Sequence, residues 1–230
     1  MTYYNLSQYD KAIPELEKFL ELDRKLGKEF MKISFNYVLL GKAYHKTGQY
    51  KKEKKLWKTA DHYIPDDPSI LQGHAILSFA EKDSSEANRY IKRFISVMKG
   101  NSATEADIAE GLGHIYYESG MLDEFKGCYR KAISSDPGNL VKLINYAVFL
   151  YRSNQNPDEF IEVIDEAIGL AQNKYDFCNY LDTKGFGLHK YGRHKEALVI
   201  LEKAWDEASY KIYFIKSHLE EVRKAVAENI

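Results

Sequence analysis

Histidine is the side chain best suited to proton transfer or metal ligation near neutral pH, and the chain carries seven: His45, His62, His74, His114, His189, His194 and His218. They fall in separate segments. Neither His-Glu-x-x-His nor Cys-x-x-Cys occurs, so no metal site and no cofactor is expected. Cys128 stands beside Tyr129, and Cys178 is expected to open a helix; both read as small packing residues rather than nucleophiles. Gly187, Gly192 and Arg193 have the glycine spacing of a phosphate loop but lack the Lys-Ser/Thr that would hold phosphate and metal. The carboxylates are dispersed, and nothing singles out a general acid–base pair. No catalytic residue is assigned, and an enzyme active on its own is not expected.

Bulk properties narrow the field further. The 230 residues carry 33 Lys+Arg against 34 Asp+Glu, a formal net charge of -1. Phosphate backbones need clustered surplus cations, so no nucleic-acid partner is expected. No apolar run approaches the length of a bilayer span, so no membrane insertion is expected. The start, Met1 to Asn5, lacks the basic and apolar parts of a signal peptide. Two cysteines make no disulfide framework, and the expected compartment is cytoplasmic.

The elements that must position any surface are helices. Apolar residues recur at three and four, as in Ile33, Tyr37, Leu40 and Tyr44, or Ile161, Ile164 and Ile168. Helices of roughly 12–18 residues follow from such stripes, and no strand pattern is found. Thr47-Gly48-Gln49, Ser119-Gly120-Met121 and Tyr191-Gly192-Arg193 read as helix–helix turns whose glycine is left-handed. Pro14 is expected near a helix start, where an N–H has no partner to lose.

A fixed spacing then repeats. After Gly41 come Tyr44, Gly48, Trp57, Ala60 and Pro65; after Gly113, at the same distances, come Tyr116, Gly120, Tyr129, Ala132 and Pro137. After Gly185 the set is Leu188, Gly192, Leu201, Ala204 and Ser209, with Ala197 between. In this pattern the chain resembles the tetratricopeptide (TPR) repeat family, through Leu40-Gly41, Leu112-Gly113 and Tyr191-Gly192-Arg193-His194-Lys195-Glu196-Ala197-Leu198. Small residues would let the helices of a hairpin approach, and large ones would fill the gap between hairpins.

Two weaker copies carry Ala75, Ala87, Ile91 and Phe94, and Ala147, Leu150, Ile164 and Ala167, the second with one inserted residue. The first copy is cut: Ala12, Leu16 and Phe19 hold second-helix positions, Tyr3 and Tyr9 aromatic ones, and Met1–Ser7 is read as the tail of a first helix. The resemblance implies an all-α, right-handed superhelix of about five and a half hairpins plus a capping helix. As one domain its expected repeats are 1–26 (truncated), 27–67, 68–105, 106–139, 140–177 and 178–210, with the cap at 211–230.

The resemblance also implies a function: a scaffold or adaptor that holds a peptide or partner-protein segment in a concave groove lined by successive first helices. The inward positions would be Val38, Lys42 and His45; Gln72, Ile76 and Phe79; Glu110, His114 and Tyr117; Ile144, Val148 and Tyr151; Asp182, Phe186 and His189. Candidate contacts are Lys42, His45, Phe79, Glu110, His114, Tyr117, Tyr151, Phe186 and His189. The carboxylate clamp of chaperone-binding relatives is not matched, since only Asn145 agrees in type. Tyr117, Tyr151 and Phe186 are expected to supply contact area, and the histidines to favour an acidic segment as pH falls through about 6.5. Two rival readings remain: a substrate-docking or regulatory repeat region of a larger multidomain protein (an enzyme or a secretion or assembly component), and a self-associating homo-oligomer formed through the open N-terminal hairpin, where Ile13, Leu16, Phe19 and Leu20 would lack a cover.

Overall fold

A computed structural model describes residues 8–27, 34–208 and 212–228. Tyr3, Met1–Ser7, Ile33 and Ser209 of the repeat reading lie outside them. Among the described residues there are helices and no strand. They are α1 (Tyr9–Leu26), α2 (Ser34–Lys46), α3 (Tyr50–Tyr63), α4 (Pro68–Ala80), α5 (Ser84–Gly100) and α6 (Glu105–Glu118). There follow α7 (Leu122–Ser135), α8 (Leu140–Arg152), α9 (Pro157–Gly169), α10 (Lys174–Lys190), α11 (His194–Glu207) and α12 (Tyr213–Glu228). The all-α helical-repeat fold read from the spacing is the fold observed. The chain divides into two compact units, Met1–Cys128 and Tyr129–Ile230, with the division inside α7.

Local chemistry sets the helix ends. Asp67 Oδ1 accepts the Ser69 and Ile70 N–H groups at 2.9 and 3.1 Å, and Pro68 fills the first helical position of α4, where its missing N–H costs nothing. Thr104 and Asp107 form a reciprocal capping box at α6. Gly48, Gly120 and Gly192 close their helices at φ of 69, 74 and 79°, as the turn chemistry predicts. The same closure ends α4 and α8 without glycine: Lys82 and Asn154 take φ of 64 and 52°, and the Asp83 and Gln155 N–H groups bond back to the Ser78 and Leu150 carbonyls. The inserted residue of the weaker copy is absorbed in the turn Ser153 to Asn156, where Asn156 also has positive φ, of 24°.

Three details depart from the sequence reading. α10 begins at Lys174, capped by Asn173, so Cys178 lies in its second turn and the boundary at 178 falls inside a helix. Cys178 is buried and unbonded to sulfur, and burial pushes its thiol up. Pro14 is inside α1, beyond the first four positions, because the helix starts only at Tyr9. It therefore removes one intrahelical bond, on a face where Pro14 and Asp10 are both exposed and water can serve the freed carbonyl.

The first unit packs as the repeat demands. Ile13 and Leu20 of α1, Tyr37, Leu40 and Tyr44 of α2, Trp57 of α3, and Ile70 and Leu77 of α4 share one core cluster. A second joins Leu71, Ala75 and Ile76 with Ile91, Phe94 and Ile115. Phe19, Leu22 and Leu26 remain exposed on α1. In the second unit Tyr129 stacks on Tyr146 at 5.3 Å, and Cys178, Leu181, Ala204 and Ile215 form the terminal cluster. No described helix is long and apolar enough to cross a membrane.

Candidate functional site

The first helices of the first unit carry polar residues at their inward positions, and these converge. A cavity of about 320 Å³ is lined by Val38, Lys42 and His45 of α2, Gln72 and Ile76 of α4, and His114 and Glu118 of α6. Trp57 and Glu53 of α3 also line it. Small residues make this convergence possible. A Cβ on Gly41 would stand 2.1 Å from Trp57 Cζ2, and one on Gly73 2.5 Å from the same atom, so the indole lies pressed between α2 and α4. Gln72 Nε2 donates to the Gly111 carbonyl at 2.9 Å and ties α4 to α6.

Two buried carboxylates organise the polar lining. Glu53 is 1% exposed; it accepts the Trp57 indole N–H at 3.1 Å and lies 3.1 Å from His45 Nδ1. The Glu118 side chain is 6% exposed, with Lys42 Nζ at 3.0 Å and Lys46 Nζ at 2.7 Å. Burial alone would raise the Glu118 carboxyl, but the two ammoniums outweigh it and hold it at about 2. His114 Nε2 is 3.8 Å from Glu118, and its imidazole is pushed down by burial.

Of the candidate contacts in this unit, Lys42, His45 and His114 meet at the cavity. Phe79 instead packs near Tyr116, with ring centroids 6.3 Å apart. Tyr117 is half-buried, edge-on to Phe125 at 5.4 Å, and Glu110 is half-buried outside the lining. The sequence reading missed Glu118 and Glu53. Glu118 lies one turn beyond His114, so extending the stripe by four residues finds it; Glu53 is on a second helix and gave no such signal.

In the second unit the candidates gather under the last helix. Tyr151 meets Phe186 edge-on at 6.3 Å, and Phe186 stacks on His218 of α12 at 3.8 Å. His218 Nδ1 is 2.9 Å from the buried Asp182 carboxylate, and His189 Nε2 is 3.3 Å from Glu221 of α12. His189 is also pushed down, first by burial and then by Lys190. The charge gain anticipated near pH 6.5 therefore moves to lower pH at His114 and His189, because burial penalises the imidazolium. Among the described residues no group of His, Cys, Asp and Glu is placed to hold a metal ion.

Comparison with known proteins agrees with the geometry. The tetratricopeptide-repeat model matches residues 1–26 and 106–139. A stretch of 80 residues is 29% identical to RNA polymerase-associated protein CTR9 of Caenorhabditis elegans, covering 35% of this chain and 7% of that protein. A tetratricopeptide repeat protein from Parabacteroides merdae superposes with a TM-score of 0.53 at 14% identity, over 96% of this chain and 82% of that one; the likeness is one of fold. YrrB, described as a TPR protein with an unusual peptide-binding site, gives a TM-score of 0.46 at 11% identity, over 93% and 97% of the two chains. The repeated spacing, the left-handed hairpin turns and the family match over residues 1–26 and 106–139 together identify tetratricopeptide-type repeats in this chain, carried on an all-α helical-repeat fold.

Proposed function

We propose that the first unit binds an extended segment of a partner protein in the cavity between α2, α4 and α6. One observation carries this reading: inward positions of three successive first helices line a single cavity, and they mix apolar wall with hydrogen-bonding groups. Val38 and Ile76 offer contact area, while Lys42, His45 and Gln72 offer polar contacts that fix a backbone or side chain. The helices are held apart by packed indole and aliphatic side chains, so the cavity exists before a ligand arrives and little ordering entropy is lost on binding.

The test is selection of peptides from a displayed random library on the full chain, followed by affinity measurement on one selected peptide. Val38→Arg places a long cation across the half-buried wall and should weaken binding roughly thirtyfold, the loss of a contact worth about 2 kcal/mol. Lys58→Ala, on the exposed side of α3, should change little. Equal affinities for wild type and Val38→Arg, with helicity unchanged, would remove the cavity as the site.

A further inference from the structure

The polar wall of this cavity contains a contact that spans more than neighbouring helices. Lys42 and Lys46 lie one turn apart on α2, Glu118 ends α6, and α4 packs against both α2 and α6. The two lysine chains reach past α4 to hold one carboxylate, each ammonium on a different oxygen. The partners differ in exposure: Glu118 is 6% exposed, while Lys42 and Lys46 are 36% and 37% exposed.

Two positive charges thus share one negative charge at the edge of the cavity. Each ammonium has three donors, and Glu118 takes one from each. His114 is the other titratable neighbour of Glu118, at 3.8 Å. His45 faces its own carboxylate, Glu53, and leaves the lysine pair to Glu118. The pair is therefore spaced for one bridging carboxylate, and a side chain of this protein already occupies it.

We propose that Lys42 and Lys46 are the receptor for a carboxylate side chain on an acidic segment of the partner, and that Glu118 fills this receptor as an internal competitor which the ligand displaces. The proposal rests on the reading of the cavity as a segment-binding site and adds the chemical class of the segment. An incoming carboxylate exchanges one ion pair for another at the same ammoniums, so the intrinsic attraction is offset by the contact it replaces. Acidic segments that also fill the apolar wall are favoured over acidic segments alone, because only the wall contributes contacts that Glu118 does not already supply.

Fluorescence anisotropy with labelled hexaglutamate and hexaglutamine peptides tests this on the full chain. Glu118→Gln removes the negative charge that both ammoniums share and should bind hexaglutamate at least tenfold more tightly than wild type, with hexaglutamine unaffected. Glu118→Gln combined with Lys42→Met should lose that gain. Hexaglutamate affinity that is unchanged or weaker in a folded Glu118→Gln protein overturns the competitor. Should Glu118→Gln not fold, Lys42→Met decides, since Lys46 still holds Glu118: a several-fold loss of hexaglutamate affinity supports the receptor, and no change overturns it. Hexaglutamate that ignores every variant, while Val38→Arg still blocks the selected peptide, overturns the acidic receptor and leaves the cavity reading standing. Failure of Val38→Arg to affect the selected peptide is the separate failure of the cavity reading.

Discussion

Trp57 should be the residue on which the first unit's packing depends most. It is 3% exposed and pressed between Gly41 and Gly73. Trp57→Ala empties that space at a cost of about 3–5 kcal/mol. It also takes a donor from Glu53, which is 1% exposed, adding about 1–3 kcal/mol. Together these approach the whole stability of an ordinary domain, about 5–15 kcal/mol. Trp57→Phe is therefore the measurable change. It keeps one ring, loses the indole N–H, and should cost about 2–4 kcal/mol, mostly through Glu53. Gly73→Ala attacks the same contact from the other side, because a Cβ there stands 2.5 Å from the indole and the ring is held by α2 behind it. The double variant Gly73→Ala, Trp57→Phe should be less damaging than the sum of the two, with a coupling of at least about 0.5 kcal/mol. Urea unfolding followed by circular dichroism measures all three. A Trp57→Phe loss below about 1 kcal/mol, or strict additivity in the double variant, would refute this account of the packing.

Lys82→Gly should raise stability by about 0.5–1 kcal/mol in the same urea assay, since a left-handed residue with a Cβ is replaced by one without, and Asn154→Gly should gain less because asparagine tolerates that region. Acid should weaken the fold in two stages. His74 is pushed down by burial despite Asp61, so its contribution is complete above about pH 6.5 and is lost as pH falls through its lower folded value. Glu118, held at about 2, contributes on the order of 3 kcal/mol above the ordinary carboxylate range, lost as pH falls from about 4.5 toward 2. A pH titration of the urea midpoint reads both stages; for Glu118→Gln the lower stage should shrink.

The spacing of Gly41, Tyr44, Gly48, Trp57 and Ala60 was enough to place hairpins and their contacts, because each position meets a packing demand that few residue types satisfy. Where the demand is met otherwise, the signal faded. Lys82 and Asn154 close helices in the left-handed conformation that glycine announces, and the extra residue before Pro157 hides in a turn without disturbing either helix. Cys178 was misplaced because the start of α10 is set by the capping residue Asn173, five positions upstream, and Pro14 because α1 starts at Tyr9, after Gln8, whose side chain makes no cap bond that would mark the start. Inward positions were legible for Val38, Lys42, His45, Gln72, Ile76 and His114, since helical periodicity fixes a face. It does not fix which side chains cross to another helix. The bond between Glu118 and the lysines of α2 depends on the approach of two helices separated by more than fifty residues of chain, roughly as the repeat period dictates. The contacts of Phe186 and His189 with α12 depend on how the last helix returns, which periodicity within α10 cannot show.

Methyl NMR of the full chain titrated with a library-selected peptide tests the central claim most directly. The account predicts that the Val38 and Ile76 methyl signals move together and saturate with the binding curve, while Val199, exposed on α11, stays still. Binding that leaves Val38 and Ile76 unmoved and shifts methyls on the second helices α3 and α5 would contradict it.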